Sequence, residues 1–168
     1  MILYFSELSH TGHGRSPNTV PLAAGYLAAY CKHHHPDLEI TIFRDPIILL
    51  NAVKTKTPDI VSFSVYLWSE NLSDFCAQKI KELSKNTIIV AGGSSIDDID
   101  LEVIEFLNTH PLYDVCIPNE GEVSFLSLIE HVKTYGGLKP NTIIDGCARL
   151  SSTGVLLRGG YKMPNLKE

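Results

Sequence analysis

The sequence predicts an α/β protein: a doubly wound, five-stranded parallel sheet in the order 2-1-3-4-5 with a small C-terminal β extension. Three observations predict it. β-Prone runs and helical patterns alternate in five successive units, which calls for parallel strands joined by helical crossovers. The run Thr87-Ile88-Ile89-Val90-Ala91 is apolar on both faces, as a central strand is, and empties into Gly92-Gly93-Ser94-Ser95. Leu38 to Phe43 instead alternates, Ile40 and Ile42 against polar neighbours, which puts the second strand at an edge.

Ile2 to Phe5 forms the first strand, and Ser6 to Thr19 a long polar loop of the kind that tends to carry function. The first helix starts near Pro21, capped by Thr19 or Asn18, and runs to about His34. It is apolar around most of its girth and reads as well buried, with Gly25 placed for close packing on the sheet. Pro46 to Lys54 is a short helix, and Ile60 to Tyr66 the third strand. Asn71 to Lys85 is an amphipathic helix with Leu72, Phe75, Cys76, Ile80 and Leu83 inward. After strand four, Asp97, Asp98 or Asp100 caps a helix whose inner face carries Leu101, Ile104 and Leu107. Val115 to Ile117 is strand five, and the last helix, bearing Phe125, Leu128, Ile129 and Val132, stops at Gly136-Gly137. This is a flavodoxin- or Rossmann-like unit over residues 1–137. Residues 138–168 read as the extension: Ile143-Ile144, Cys147 to Leu150, a turn at Ser152-Thr153-Gly154, Val155 to Leu157, then a linker from Gly159-Gly160 onward.

At 168 residues the chain is long enough for a real core. A net charge of -5 and scattered basic residues argue against nucleic acid. No apolar run approaches the ~20 residues of a membrane span, and Met1 to Phe5 reads as a strand rather than a targeting segment, so a cytoplasmic protein is expected. Cys31, Cys76, Cys116 and Cys147 are widely spaced in apolar contexts and read as reduced core thiols. They form no Cys-x-x-Cys or Cys-x-x-x-Cys-x-x-Cys that could hold zinc or an iron–sulfur cluster.

Neither G-x-G-x-x-G nor the phosphate-binding G-x-x-x-x-G-K-[ST] is present, which argues against NAD and ATP sites. His10 and His13 lack a third ligand, and His33-His34-His35 sits at a helix end where exposed cations are favourable. No nucleophile elbow or supported triad occurs. What remains is the rim formed by the loops after strands one, three, four and five: Ser9 to Gly14, Ser64 to Ser69, Gly92 to Ser95 and Asn119 to Glu122. Small, hydroxylated and glycine residues with Tyr66 and Trp68 suit a large flat ligand with polar edges; as turn formers they would need no ligand at all.

Pro21-Leu22-Ala23-Ala24-Gly25-Tyr26-Leu27-Ala28-Ala29-Tyr30, Pro58-Asp59-Ile60-Val61-Ser62-Phe63-Ser64, Ala91-Gly92-Gly93-Ser94 and Asn119-Glu120-Gly121-Glu122 follow one another in that order. Together they resemble the N-terminal cobalamin (vitamin B12)-binding domain of B12-dependent radical SAM proteins, over essentially the whole chain. Ile144-Asp145-Gly146 and Met163-Pro164-Asn165-Leu166 resemble the segment leading to a radical SAM barrel. In the wider B12-binding group, a Ser-x-Leu after strand three and a Gly-Gly after strand four hold the nucleotide tail of the cofactor. Ser64-Val65-Tyr66 and Gly92-Gly93 take those places, 25 residues (67 to 91) apart, with tyrosine for leucine. The rim adds Ser94, Glu120, Gly121, Thr11 and Gly12 to the cofactor-binding set. The Asp-x-His-x-x-Gly motif that supplies a cobalt ligand is not matched, because Leu8 and His13 stand at its Asp and Gly positions. The implied mode is base-off binding with no histidine ligand, His10 being the residue left that could ligate cobalt.

The resemblance implies a cofactor module rather than a catalyst, with no catalytic residue of its own. S-adenosylmethionine and a 4Fe-4S cluster would belong to a barrel, its partner in a parent methyltransferase or cyclase. Two rivals stay open: a degenerate domain that docks or recognises substrate without cofactor, and a flavodoxin-like flavin-binding protein.

Overall fold

The computed structural model describes residues 1–10 and 20–163. The expected caps Thr19 and Asn18, the loop residues Thr11, Gly12, His13 and Gly14, and the tail from Pro164 lie outside them.

The strands are β1 (Ile2–Ser6), β2 (Glu39–Phe43), β3 (Ile60–Ser64), β4 (Ile88–Gly92), β5 (Val115–Ile117), β6 (Ala148–Leu150) and β7 (Leu156–Arg158). They form one sheet in the order β2-β1-β3-β4-β5-β6-β7. β1 to β5 pair in parallel in the expected order, and the C-terminal extension continues the same sheet as two antiparallel strands. The helices are α1 (Leu22–His34), α2 (Pro46–Thr55), α3 (Glu70–Leu83), α4 (Asp100–Thr109) and α5 (Glu122–Tyr135).

Period-two alternation sorts each strand between two cores. Leu3, Phe5, Ile60, Val90, Val115 and Ile117 face α1 and α5. Tyr4, Val61, Phe63, Ile89, Ala91 and Cys116 face α2, α3 and α4. Asp114 locks the entry to β5, accepting the Ile89 amide and the Lys81 ammonium, each at 2.7 Å.

Several elements depart from expectation. α1 buries only Ala24 and Cys31, leaving Leu22 59% and Tyr26 60% exposed. A Cβ at Gly25 would meet nothing within 4 Å, so sheet packing is not its reason. α3 turns Ser73, Cys76, Ala77 and Ile80 inward, leaving Phe75 and Leu83 half exposed; small side chains bring it close to the sheet. In α4 the inner residues are Val103 and Leu107, while Leu101 is 76% exposed. Ile99 occupies its cap position, and Asp98 and Asp100 instead pair with Arg158 of β7. Ile143-Ile144 is not a strand. Gly159 is no linker residue, because its Cβ would strike the Ile144 carbonyl at 2.0 Å, and the Gly160 carbonyl accepts the Gly146 amide.

Candidate functional site

Parallel doubly wound sheets place ligand sites beyond the carboxyl ends of their strands. Here a cleft of about 270 Å³ opens there, over β3, β4 and β5 and between α1 and α5. Its floor is the set of residues that alternation turns toward those helices: Ser62 and Ser64 from β3, Val90 and Gly92 from β4, and Ile117 from β5. Ala23, Tyr26 and Leu27 form one wall, and Phe125 with the start of α5 the other. Asn119, Glu120, Gly121 and Glu122 stand at the mouth.

The cleft exists because side chains are absent at two of its edges. Ser64 and Gly92 are register partners on adjacent strands, so Gly92 turns bare backbone into the cleft beside the Ser64 hydroxyl. Its Cβ would rest in ordinary contact with the Ile117 carbonyl at 3.4 Å, so the packing of the fold alone does not demand glycine there. At Gly121 a Cβ would meet Leu27 at 3.0 Å, and its absence lets the start of α5 approach α1. Gly93 serves differently. Its φ of +109° and a Cβ that would lie 2.7 Å from the Val65 carbonyl make it the turn that folds the chain back over β3.

Of the cofactor-binding set expected from sequence, Ser64, Gly92, Gly93, Glu120 and Gly121 therefore converge on one cleft. Val65 is fully buried in the opposite core. Ser94 is exposed and lies outside the lining. Tyr66 also lies outside it, stacked on Trp68 with ring centroids 4.8 Å apart and planes 3° from parallel. Burial, and after it the charge of Glu7, raises the Tyr66 phenol above its ordinary range. Trp68 is 63% exposed, so the pair offers a flat apolar surface on the rim. Thr11 and Gly12 lie outside the described residues. His10 Nε2 lies 2.9 Å from the Trp68 carbonyl oxygen, fixing it to that loop.

Charge at the mouth is acidic. The Tyr161 hydroxyl donates to Glu120, holding that carboxyl below its usual range and pushing the phenol up to about 12. Among the described residues no three His, Cys, Asp or Glu side chains are grouped to hold a metal. The four cysteines are all buried thiols, and burial pushes Cys31, Cys116 and Cys147 up to about 12.

Sequence reasoning missed the apolar walls Tyr26, Leu27 and Phe125, which read as ordinary helix positions. It also missed Ser62, hidden inside a β-branched run. The signal was there: Ser62 and Ser64, two apart on one strand, must share a face.

No family model matches the chain. The sequence is 30% identical over 115 residues, 66% of the chain, to the cobalamin-dependent radical SAM methyltransferase TokK of Streptomyces tokunonensis. It is 29% identical over 115 residues to a 2-(S-pantetheinyl)-carbapenam-3-carboxylate methyltransferase of Streptantibioticus cattleyicolor. The chain spans 16% of the length of each of these relatives. Among solved structures, the cobalamin-dependent S-adenosylmethionine radical enzyme OxsB, bound to aqua-cobalamin and S-adenosylmethionine, superposes with a TM-score of 0.80 at 20% identity. That match covers 99% of this chain and 23% of OxsB. A cobalamin-binding protein from Desulfitobacterium hafniense gives a TM-score of 0.55 at 11% identity, over 77% of this chain and 57% of that protein. The structural matches establish the shared fold, and the sequence matches bear out the resemblance to cobalamin-dependent radical SAM proteins.

Proposed function

We propose that this chain is the cobalamin-binding module of a B12-dependent radical SAM protein of methyltransferase or cyclase type, holding the corrinoid at the carboxyl edge of its sheet. The observation that carries the reading is the cleft itself. It lies over β3 and β4 in the fold shared with OxsB, and Gly92 leaves open, beside Ser64, the volume a side chain would fill. β3 and β4 remain hydrogen-bonded throughout, with the Val65 amide donating to the Gly92 carbonyl. The nucleotide tail would accordingly lie across the strands, under α1 and α5, rather than pass between them. Ser64 would hydrogen-bond the tail, Gly92 would admit it, and Gly121 and Glu120 would border its entry. The stacked Tyr66 and Trp68 would lie beside the corrin.

The donor set is suited to cobalamin without a protein ligand to cobalt, since His10 is engaged with Trp68 and has no carboxylate motif beside it. Bound cobalamin would supply a cobalt centre able to carry a methyl group. S-adenosylmethionine and the 4Fe-4S cluster would be handled by a radical SAM barrel of the same parent protein, with residues 1–137 as the cofactor unit and 138–168 as the passage toward that barrel. The chain contributes cofactor binding, not bond-breaking groups. No described helix is long and apolar enough to cross a membrane, and buried reduced thiols suit a cytoplasmic setting. The sequence relatives favour this reading over a cofactor-free docking domain or a flavin-binding protein.

The test is to mix the protein with hydroxocobalamin, remove unbound ligand and record the visible spectrum. Retained corrin absorbance at one equivalent is expected. Its absence, with the fold intact by circular dichroism, would sink the assignment.

A further inference from the structure

Ser62 is 6% exposed and lines the cleft, and its hydroxyl makes no hydrogen bond to any described residue. The other buried, unpartnered serine hydroxyls, Ser6, Ser9, Ser73 and Ser124, are sealed from solvent and lie outside the cleft lining. Ser62 differs in opening onto a cavity. A hydroxyl left without a partner among apolar walls carries a desolvation cost that a ligand atom can relieve.

The register gives the floor its shape. Beside Ser64 stands Gly92, so the cleft is wide there, whereas beside Ser62 stands Val90, so it narrows. The two hydroxyls stand about 6–7 Å apart along the strand, roughly the length of a bicyclic aromatic ring. Leu27, Val90, Ile117 and Phe125 supply flat apolar contact around them. Among the described residues no lysine or arginine lines the cleft, and both glutamates stand at its mouth, so the deep end suits a neutral ring rather than a phosphate.

We propose that Ser62 reads the base at the end of the corrinoid's nucleotide tail, donating to a ring nitrogen and so selecting corrinoids with a benzimidazole-type base. The inference rests on the cleft being the tail site. A base released from cobalt exposes one unshared nitrogen pair and otherwise only carbon edges, which matches one donor among apolar walls. A base with no ring nitrogen, such as p-cresol, leaves the hydroxyl unpaired.

Trp68 is the one tryptophan of the chain, so quenching of its fluorescence by the corrin reports binding directly. Affinities of the 168-residue chain and of Ser62→Ala are measured for cobalamin, the p-cresol cobamide and cobinamide, which lacks the tail. The unaltered chain is expected to bind cobalamin about tenfold tighter than the p-cresol cobamide, the worth of one hydrogen bond. Ser62→Ala should erase that preference by weakening cobalamin about tenfold, and leave cobinamide unchanged. It should melt no lower than the unaltered chain, since it removes a buried hydroxyl that has no partner to lose. A preference that survives Ser62→Ala, or cobinamide binding as tightly as cobalamin, would overturn the proposal while leaving a corrinoid-binding protein. Failure of every corrinoid to quench Trp68 or be retained would overturn the cofactor assignment and this inference with it.

Discussion

Gly92 and Gly93 adjoin in sequence yet answer to different physics. Gly92 has ordinary strand geometry and room for a Cβ, while Gly93 has a left-handed φ and the Val65 backbone in the way. Gly92→Val should therefore keep the fold and lose corrinoid, measured as retained absorbance after desalting. Gly93→Ala should lower stability by about 2 kcal/mol, combining strained backbone with a steric overlap, as read from denaturant unfolding. Equal melting of the two variants would show that their roles have been misassigned. From sequence the pair read as a single motif, because nothing in two glycines tells which one turns the chain and which one empties a cavity. Ser62 was half legible for a related reason: its face follows from its spacing to Ser64, but its register partner and unpaired hydroxyl do not. A serine in a β run looks like filler until its face, register partner and missing hydrogen bond are known together.

Among elements, the strands were far more legible than the helix faces. Their alternation with helices and the weak second strand were enough to order β1 to β5, because the core demands apolar residues on both sides of a central parallel strand. Helix faces were misjudged where large apolar residues stayed outside, as with Leu22 and Tyr26 in α1, Phe75 in α3 and Leu101 in α4. Small residues packed on the sheet instead, and Ala24, Ser73 and Ala77 carry no strong hydrophobic signal. The C-terminal strands were seen as a hairpin, but their joining of the main sheet rests on one ladder pair, Cys116 with Ala148, which no local pattern announces. The junction of β4 and β5 hangs on Asp114, which accepts from both Ile89 and Lys81. Asp114→Ala strips the Ile89 amide and the Lys81 ammonium of this acceptor, and should cost about 1–3 kcal/mol in urea unfolding. Asp114→Asn, which keeps a carbonyl acceptor, should cost less.

For the whole molecule, the thiols report cooperativity. All four cysteines are buried, two on helices and two on or beside strands of the two cores: Cys31 in α1, Cys76 in α3, Cys116 in β5 and Cys147 before β6. An aromatic disulfide reagent should find no reactive thiol in the native protein and four after unfolding, without intermediate values if the sheet unfolds as one unit. Burial raises the thiols from 9.0 to about 12 for Cys31, Cys116 and Cys147, and to about 11 for Cys76. The unfolded chain therefore releases protons first. The stability these thiols contribute is complete below pH 9, and falls as pH rises through the window to about 12. A melting temperature that holds steady from pH 9 to 11 would contradict that sign.

The two walls of the cleft are not held equally. α5 buries five of its fourteen residues and α1 only two of its thirteen. Local opening free energy follows buried contact, so the walls differ in how readily they breathe. On that ground the α1 amides should exchange with solvent faster than those of α5. A bulky guest can be admitted by loosening one helix, with the hydrogen-bonded sheet beneath it undisturbed.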